Sequence, residues 1–128
     1  KSLKEVTYHV RRSIDLVIRL GDGTEESHQR MQEAINDAWK HVGELFLDDD
    51  VTRTLHEQGV APLHESLWDE WYEQVGAVLS EATLIIPAQE EAFHKAHRGG
   101  TQGHHTEALG FLLAEMQVLQ RTYPGASW

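Results

Sequence analysis

Leu3, Val6, Val10, Ile14 and Val17 recur at spacings of three and four. A period of 3.6 residues puts them on one helix face. Residues 1–20 are therefore read as an amphipathic helix whose stripe needs a cover. Gly21-Asp22-Gly23 stops it. Thr24 offers the next N-cap, with Glu25 and Glu26 in the first turn, where the helix dipole favours anions. Met31, Ile35, Ala38, Val42 and Leu45 form a second stripe, widened by Trp39 and Phe46. It predicts a helix running to about Leu47. The short Gly-Asp-Gly link makes the two helices antiparallel neighbours.

Asp50 is the expected cap of a short helix from Val51 to Gln58, closed by Gly59. Pro62 suits the first turn of the next helix, with Leu63, Leu67, Trp71, Val75 and Val78 on one face down to about Ala82. Pro87 disfavours helix at Ile86, so 84–87 is read as ending extended. Gln89 to His97 reads as a short helix or a loop, and Gly99 to Gly103 as a loop. Thr106 is the expected cap of a last helix with the stripe Leu109, Leu112, Met116 and Leu119, stopped by Pro124-Gly125. Four main helices and no convincing strand make the fold class all-α, a helical bundle. The 128 residues suffice for one domain with a core.

The formal net charge is −10. Residues 65–128 carry three Lys/Arg against nine Asp/Glu, and none of those cations lies between Glu65 and His94. Such a balance argues against a nucleic-acid backbone as the main partner. Basic residues concentrate in the first helix, at Lys1, Lys4, Arg11, Arg12 and Arg19. No apolar run reaches the length of a membrane span. Cysteine is absent, which fits a reducing cytoplasm and rules out thiolate chemistry. The chain begins at Lys1 inside a helical pattern, so a chain cut from something longer is expected.

Nine histidines and many carboxylates raise metal binding as a question. A di-iron carboxylate bundle needs two Glu-x-x-His motifs and a Glu from each of two further helices. One such tetrad occurs, Glu91-Ala92-Phe93-His94, in a polar stretch without a helical stripe. Glu5 and His9 share a face at i, i+4, one residue too long for that motif. His41 and Glu44 reverse the motif's order and read as a surface pair. His104, His105 and Glu107 form a sharper cluster beside Gly99, Gly100 and Gly103. Loop amides and a helix N-terminus there could hold an anion; a tight turn followed by a cap explains the same residues. Trp68, Trp71 and Tyr72 are expected not to point one way, leaving aromatic surface for a partner.

The stretches KEVTYHVRRSIDLVIRLGDGT, MQEAINDAWKHVGELF, EATLIIP and GGTQGHHTEALGFLLAEMQVLQRTYPGASW resemble the PaaC-type subunits of the bacterial ring-1,2-phenylacetyl-CoA epoxidases. The resemblance covers essentially the whole chain in several ordered blocks. Members of that family are about twice this length, so the chain resembles their C-terminal half. The resemblance implies a ferritin-like bundle within a multicomponent monooxygenase of phenylacetate catabolism. A separate di-iron subunit there epoxidises the aromatic ring. Electrons come from NADPH through a flavin and iron–sulfur reductase. The PaaC-type component is then a non-catalytic companion with no cofactor of its own. Glu5 and His9 are candidates for a degenerate site, with Tyr8 where a di-iron relative would carry its histidine.

No catalytic or metal-binding residue is assigned. Partner or ligand contacts are expected at Arg98, Gly100, Gly103, His105, Thr106 and Glu107. Half of such a bundle exposes its stripes, so a companion fragment or a second copy is expected to supply the missing helices. The competing functions are a metal-binding ferritin-like oxidase or oxygenase acting by itself, and a general helical interaction module.

Overall fold

The computed structural model describes residues 1–93 and 99–127. It divides into two compact units, Lys1–His97 and Arg98–Trp128. Among the described residues there is no strand.

In the first unit, α1 spans Ser2–Gly21 and α2 spans Glu25–Trp39. Their link is fixed by a reciprocal cap. The Thr24 hydroxyl accepts from the Ser27 N–H at 3.2 Å, and the Ser27 hydroxyl accepts from the Thr24 N–H at 2.9 Å. Each bond satisfies an amide that the helix start leaves without a partner. The cap expected at Thr24 is present; its partner Ser27 had no reading in the sequence.

The second helix is shorter than its stripe predicted. It ends at Trp39, and Val42–Phe46 is a 3₁₀ turn. Gly43 explains the break: a Cβ there would run into the Ala92 carbonyl. The turn brings Gly43 against that backbone while Trp39 and Phe46 enter one core. A continued helix would spread these contacts around its surface.

α3 spans Asp50–Glu57, and its cap is Asp49 rather than Asp50. The Asp49 carboxylate accepts from the Thr52 N–H at 2.9 Å, and the Thr52 hydroxyl accepts from the Asp49 N–H at 2.8 Å. Asp50 is the first helical residue. The same run supplies a second cap: Asp48 accepts from the His64 and Glu65 amides at 2.9 and 3.1 Å. Those bonds start a 3₁₀ turn, Glu65–Leu67, which leads into α4, Trp68–Glu81. Pro62 and Leu63 therefore precede the helix instead of opening it.

α2 and α4 meet in two apolar clusters, and α1 joins the second through Val17 and Ile18. One holds Trp39, Phe46, Trp68 and Ala92, the other Leu79, Ala82 and Leu84. The helix directions follow from the residue pairs. Gly21 meets Ala82 and Val17 lies by Leu79, so α1 and α4 run parallel. Ring centroids of Trp39 and Trp71 lie 5.8 Å apart. Gln32 binds Ile85 through both of that residue's backbone groups, at 2.8 and 3.0 Å, so α2 opposes α4.

Trp68, Trp71 and Tyr72 correct the sequence expectation. Spacings of three and four place them on one helix side. Trp68 stacks on Tyr72 at 5.4 Å and meets Trp71 at 5.5 Å and Phe46 at 5.0 Å. They line a core, and Trp68 is buried. Residues 84–88 take no regular secondary structure, and α5, Gln89–Ala92, is the short helix after Pro87.

In the second unit, Gly100–Gln102 is a 3₁₀ turn, α6 spans Glu107–Met116 and α7 spans Val118–Thr122. The predicted single last helix is thus broken at Gln117. Thr106 occupies the cap position, but its side chain makes no capping hydrogen bond. The predicted stripe residues Leu112, Met116 and Leu119 are exposed, whereas Leu109 is half-buried.

Candidate functional site

The residues singled out in sequence fall in two places. Glu5, Tyr8 and His9 lie on the N-terminal half of α1, where every residue from Lys1 to Ser13 is exposed. Helical spacing keeps Glu5 and His9 on one face. The Tyr8 and His9 rings meet edge-on with centroids 6.0 Å apart. Two donors on one exposed helix do not fit a di-iron centre, which draws carboxylates and histidines from four helices. Among the described residues, no three His, Asp or Glu side chains gather in a group able to hold a metal ion.

Gly100, Gly103, His105, Thr106 and Glu107 belong to the second unit; Arg98 lies outside the described residues, as does His94 of the Glu91 tetrad. The loop is a closed turn. Gln102 and His104 both donate their N–H to the Gly99 carbonyl at 2.9 Å, and Gly103 donates to Gly100 at 3.2 Å. Gly99 and Gly103 hold φ of 107° and 88°, a region that disfavours side chains. Three amides that an anion cradle would use are thereby directed at carbonyls within the turn. What remains outward is chemistry on side chains: His105, Thr106 and Glu107 are all exposed. Glu107 sits in the first turn of α6, where a carboxylate is favoured.

A feature without a reading in the sequence is a cleft between α1 and α4. Its volume is about 300 Å³, and Val10, Val17, Trp71, Val75 and Val78 are among its lining residues. Gln74 and Ser13 are its polar contributions. The signal was present: the stripes of α1 and α4 both contribute side chains to this cleft. Leu3, Val6 and Val10 continue the apolar stripe beyond it and are exposed by 78, 55 and 52%.

The sequence of this chain has counterparts among known proteins. The family model described as Phenylacetic acid catabolic protein matches residues 1–128. The chain belongs to this family. The family is ferritin-like, and the helical fold described above is of that kind. A curated relative, the C subunit of the 1,2-phenylacetyl-CoA epoxidase of Escherichia coli (strain K12), is 46% identical over 128 residues. The match takes in 100% of this chain and 50% of the relative, so the chain spans about half the length of the curated relative it matches. No described helix of this family member is long and apolar enough to cross a membrane.

Proposed function

We propose that this chain serves as a companion subunit, and not as the catalyst, in a multicomponent di-iron monooxygenase acting on phenylacetyl-CoA. The observation that carries the reading is the 46% identity to the epoxidase's C subunit along every part of the chain. Tyr8 supports the non-catalytic role, because it stands where a Glu-x-x-His motif beginning at Glu5 would need histidine. The oxygen chemistry then belongs to a separate di-iron subunit, fed from NADPH by a flavin and iron–sulfur reductase. This chain's contribution is to hold and position that subunit. The cytoplasm is the compartment in which such a complex would work.

Two measurements test the reading. Co-expression with the catalytic di-iron subunit is expected to yield a complex that survives gel filtration; recovery of the two proteins in separate peaks counts against it. Anaerobic reconstitution is expected to leave no more iron on this chain than on a metal-free control. Stoichiometric iron would instead favour a ferritin-like oxidase acting by itself.

A further inference from the structure

Oxidisable rings in the first unit are concentrated rather than dispersed. The chain has 4 Trp and 3 Tyr. Trp39, Trp68, Trp71 and Tyr72 gather around a single core. Their rings form a closed circuit. Trp39 lies 5.8 Å from Trp71, and Trp71 lies 5.5 Å from Trp68. Trp68 lies 5.4 Å from Tyr72, and Tyr72 lies 6.2 Å from Trp39. These centroid separations are those of packed rings. Phe46 and Phe93 pack against the circuit, 5.0 and 4.7 Å from Trp68.

Packing alone asks for apolar volume, which aliphatic side chains also supply. Indole and phenol add the capacity to give up one electron. The protein has no cysteine to compete for an oxidant. Met31 packs against the other cluster. The Trp39 indole Nε1–H donates to the Ala88 carbonyl at 3.0 Å. A carbonyl oxygen accepts that hydrogen bond but is no base at neutral pH. An oxidised Trp39 therefore keeps its proton, and an electron from a neighbouring ring can refill it. A phenol behaves differently: it sheds its proton on oxidation and becomes a neutral radical. Tyr72 touches both buried indoles, Trp39 and Trp68, so a migrating electron vacancy stops there.

We infer that Trp39, Trp68, Trp71 and Tyr72 form a relay that carries one oxidising equivalent to Tyr72. The oxidant is a strong one-electron acceptor of the oxygen-derived radical class. It takes one electron from an indole and leaves the radical cation. Neighbouring rings pass the vacancy on in single-electron steps, across contacts no longer than 6.2 Å. Tyr72 ends the sequence by giving one electron to the oxidised indole and its phenolic proton to water. One electron and one proton from a small-molecule thiol then restore the phenol. The net result is one oxidant reduced with every side chain returned to its starting state. The use of such a relay in an oxygenase complex rests on the companion-subunit reading; the electron transfer itself does not.

Flash photolysis of the protein with a ruthenium polypyridyl photosensitiser and persulfate tests the relay. Tyr8→Phe, Tyr123→Phe and Trp128→Phe first make the four rings the sole Trp and Tyr of the chain. Transient absorption should then show indole radicals, with the phenoxyl radical rising as they decay. Tyr72→Phe should abolish the phenoxyl signal and prolong the indole radicals. Trp39→Phe with Trp68→Phe keeps rings in the core but removes the indoles that touch Tyr72. In that variant the Trp71 radical should persist and the phenoxyl yield should fall. Circular dichroism checks that helicity is kept; if the double variant does not fold, Tyr72→Phe decides, since it removes one hydroxyl. Indole radicals that decay equally fast in Tyr72→Phe overturn the inference. Phenoxyl formed within the flash at full yield, with or without Trp39 and Trp68, overturns it equally. None of these outcomes depends on binding a catalytic subunit, so the relay and the companion-subunit reading fail separately.

Discussion

Gly21 and Ala82 meet so closely that a Cβ on Gly21 would lie 2.5 Å from the Ala82 carbonyl oxygen and 2.8 Å from the Ala82 Cβ. The ends of α1 and α4 touch there through backbone. Gly21→Ala should therefore destabilise the chain by about 1–3 kcal/mol, the usual cost of forcing volume into a packed site. The gain in helix propensity, about 1 kcal/mol at most, works against that loss. Gly110→Ala in α6 is the control, because a Cβ there meets nothing within 4 Å. It should stabilise α6 by about 0.5–1 kcal/mol. Urea unfolding of both variants checks the pair, and a Gly21→Ala protein as stable as the parent would contradict the close approach.

Thr83 follows the C-terminus of α4 with φ of 60°, a conformation that strains a β-branched side chain. Glycine is the usual residue at such a position. Here the hydroxyl donates to the Gly21 carbonyl at 3.4 Å, and His28 Nδ1 donates to the same oxygen at 2.8 Å. The side chain thus compensates its own strain by tying α4 to α1 and α2. Thr83→Gly relieves strain as it loses a long hydrogen bond, and should unfold at nearly the parent midpoint. Thr83→Ala keeps the strain and loses the bond, and should be less stable than Thr83→Gly by about 1 kcal/mol. Equal stability of the two variants would dismiss the strain argument.

The sequence made the helices legible where a stripe and a stop signal coincide. Leu3 to Val17 followed by Gly-Asp-Gly predicted α1, and Thr24 predicted the start of α2. It misled where long-range packing decides. No local signal at Lys40 says that α2 must end, because the cause is Ala92, far along the chain. Asp48, Asp49 and Asp50 are chemically alike, and only the fold separates two caps from a first helical residue. The cleft between α1 and α4 requires knowing that these helices are parallel. The residues carrying the resemblance were readable at once, since family membership needs no geometry.

Asp48 and Asp49 give the stability of the chain a sign in acid. Burial pushes the Asp48 carboxyl up, but the His64 and Glu65 amides, the Thr52 hydroxyl and the nearby His64 together hold it below the ordinary value. Asp49 is lowered chiefly by the Thr52 amide, against burial, with help from the Val51 amide, the Thr52 hydroxyl and His64. A carboxyl depressed by folding adds stability above its unfolded pKa, about 3.9. That stability is lost as pH falls through the folded value. Urea midpoints should therefore drop as pH is lowered from about 4. Asp48→Asn should lower the midpoint at neutral pH and flatten the acid decline. A parallel decline in both proteins would remove Asp48 from the account.

The turn at 99–103 separates docking from folding. Its shape rests on backbone bonds to Gly99 and Gly100, in which the side chains of His105 and Glu107 take no part. Alanine at both positions should leave helicity unchanged. The melting temperature should move little, because a first-turn carboxylate is worth only about 0.3–1 kcal/mol. If this surface meets the catalytic subunit, the same double variant should weaken that complex by roughly tenfold, the scale of interface residues whose truncation costs more than about 1 kcal/mol. Gly103→Ala makes the complementary change, since a side chain at φ 88° distorts the turn and leaves His105 and Glu107 in place. Weaker binding from both variants, with folding kept in the first, assigns recognition to side chains presented by a correctly shaped turn. Full affinity in the alanine variant removes this loop from the interface.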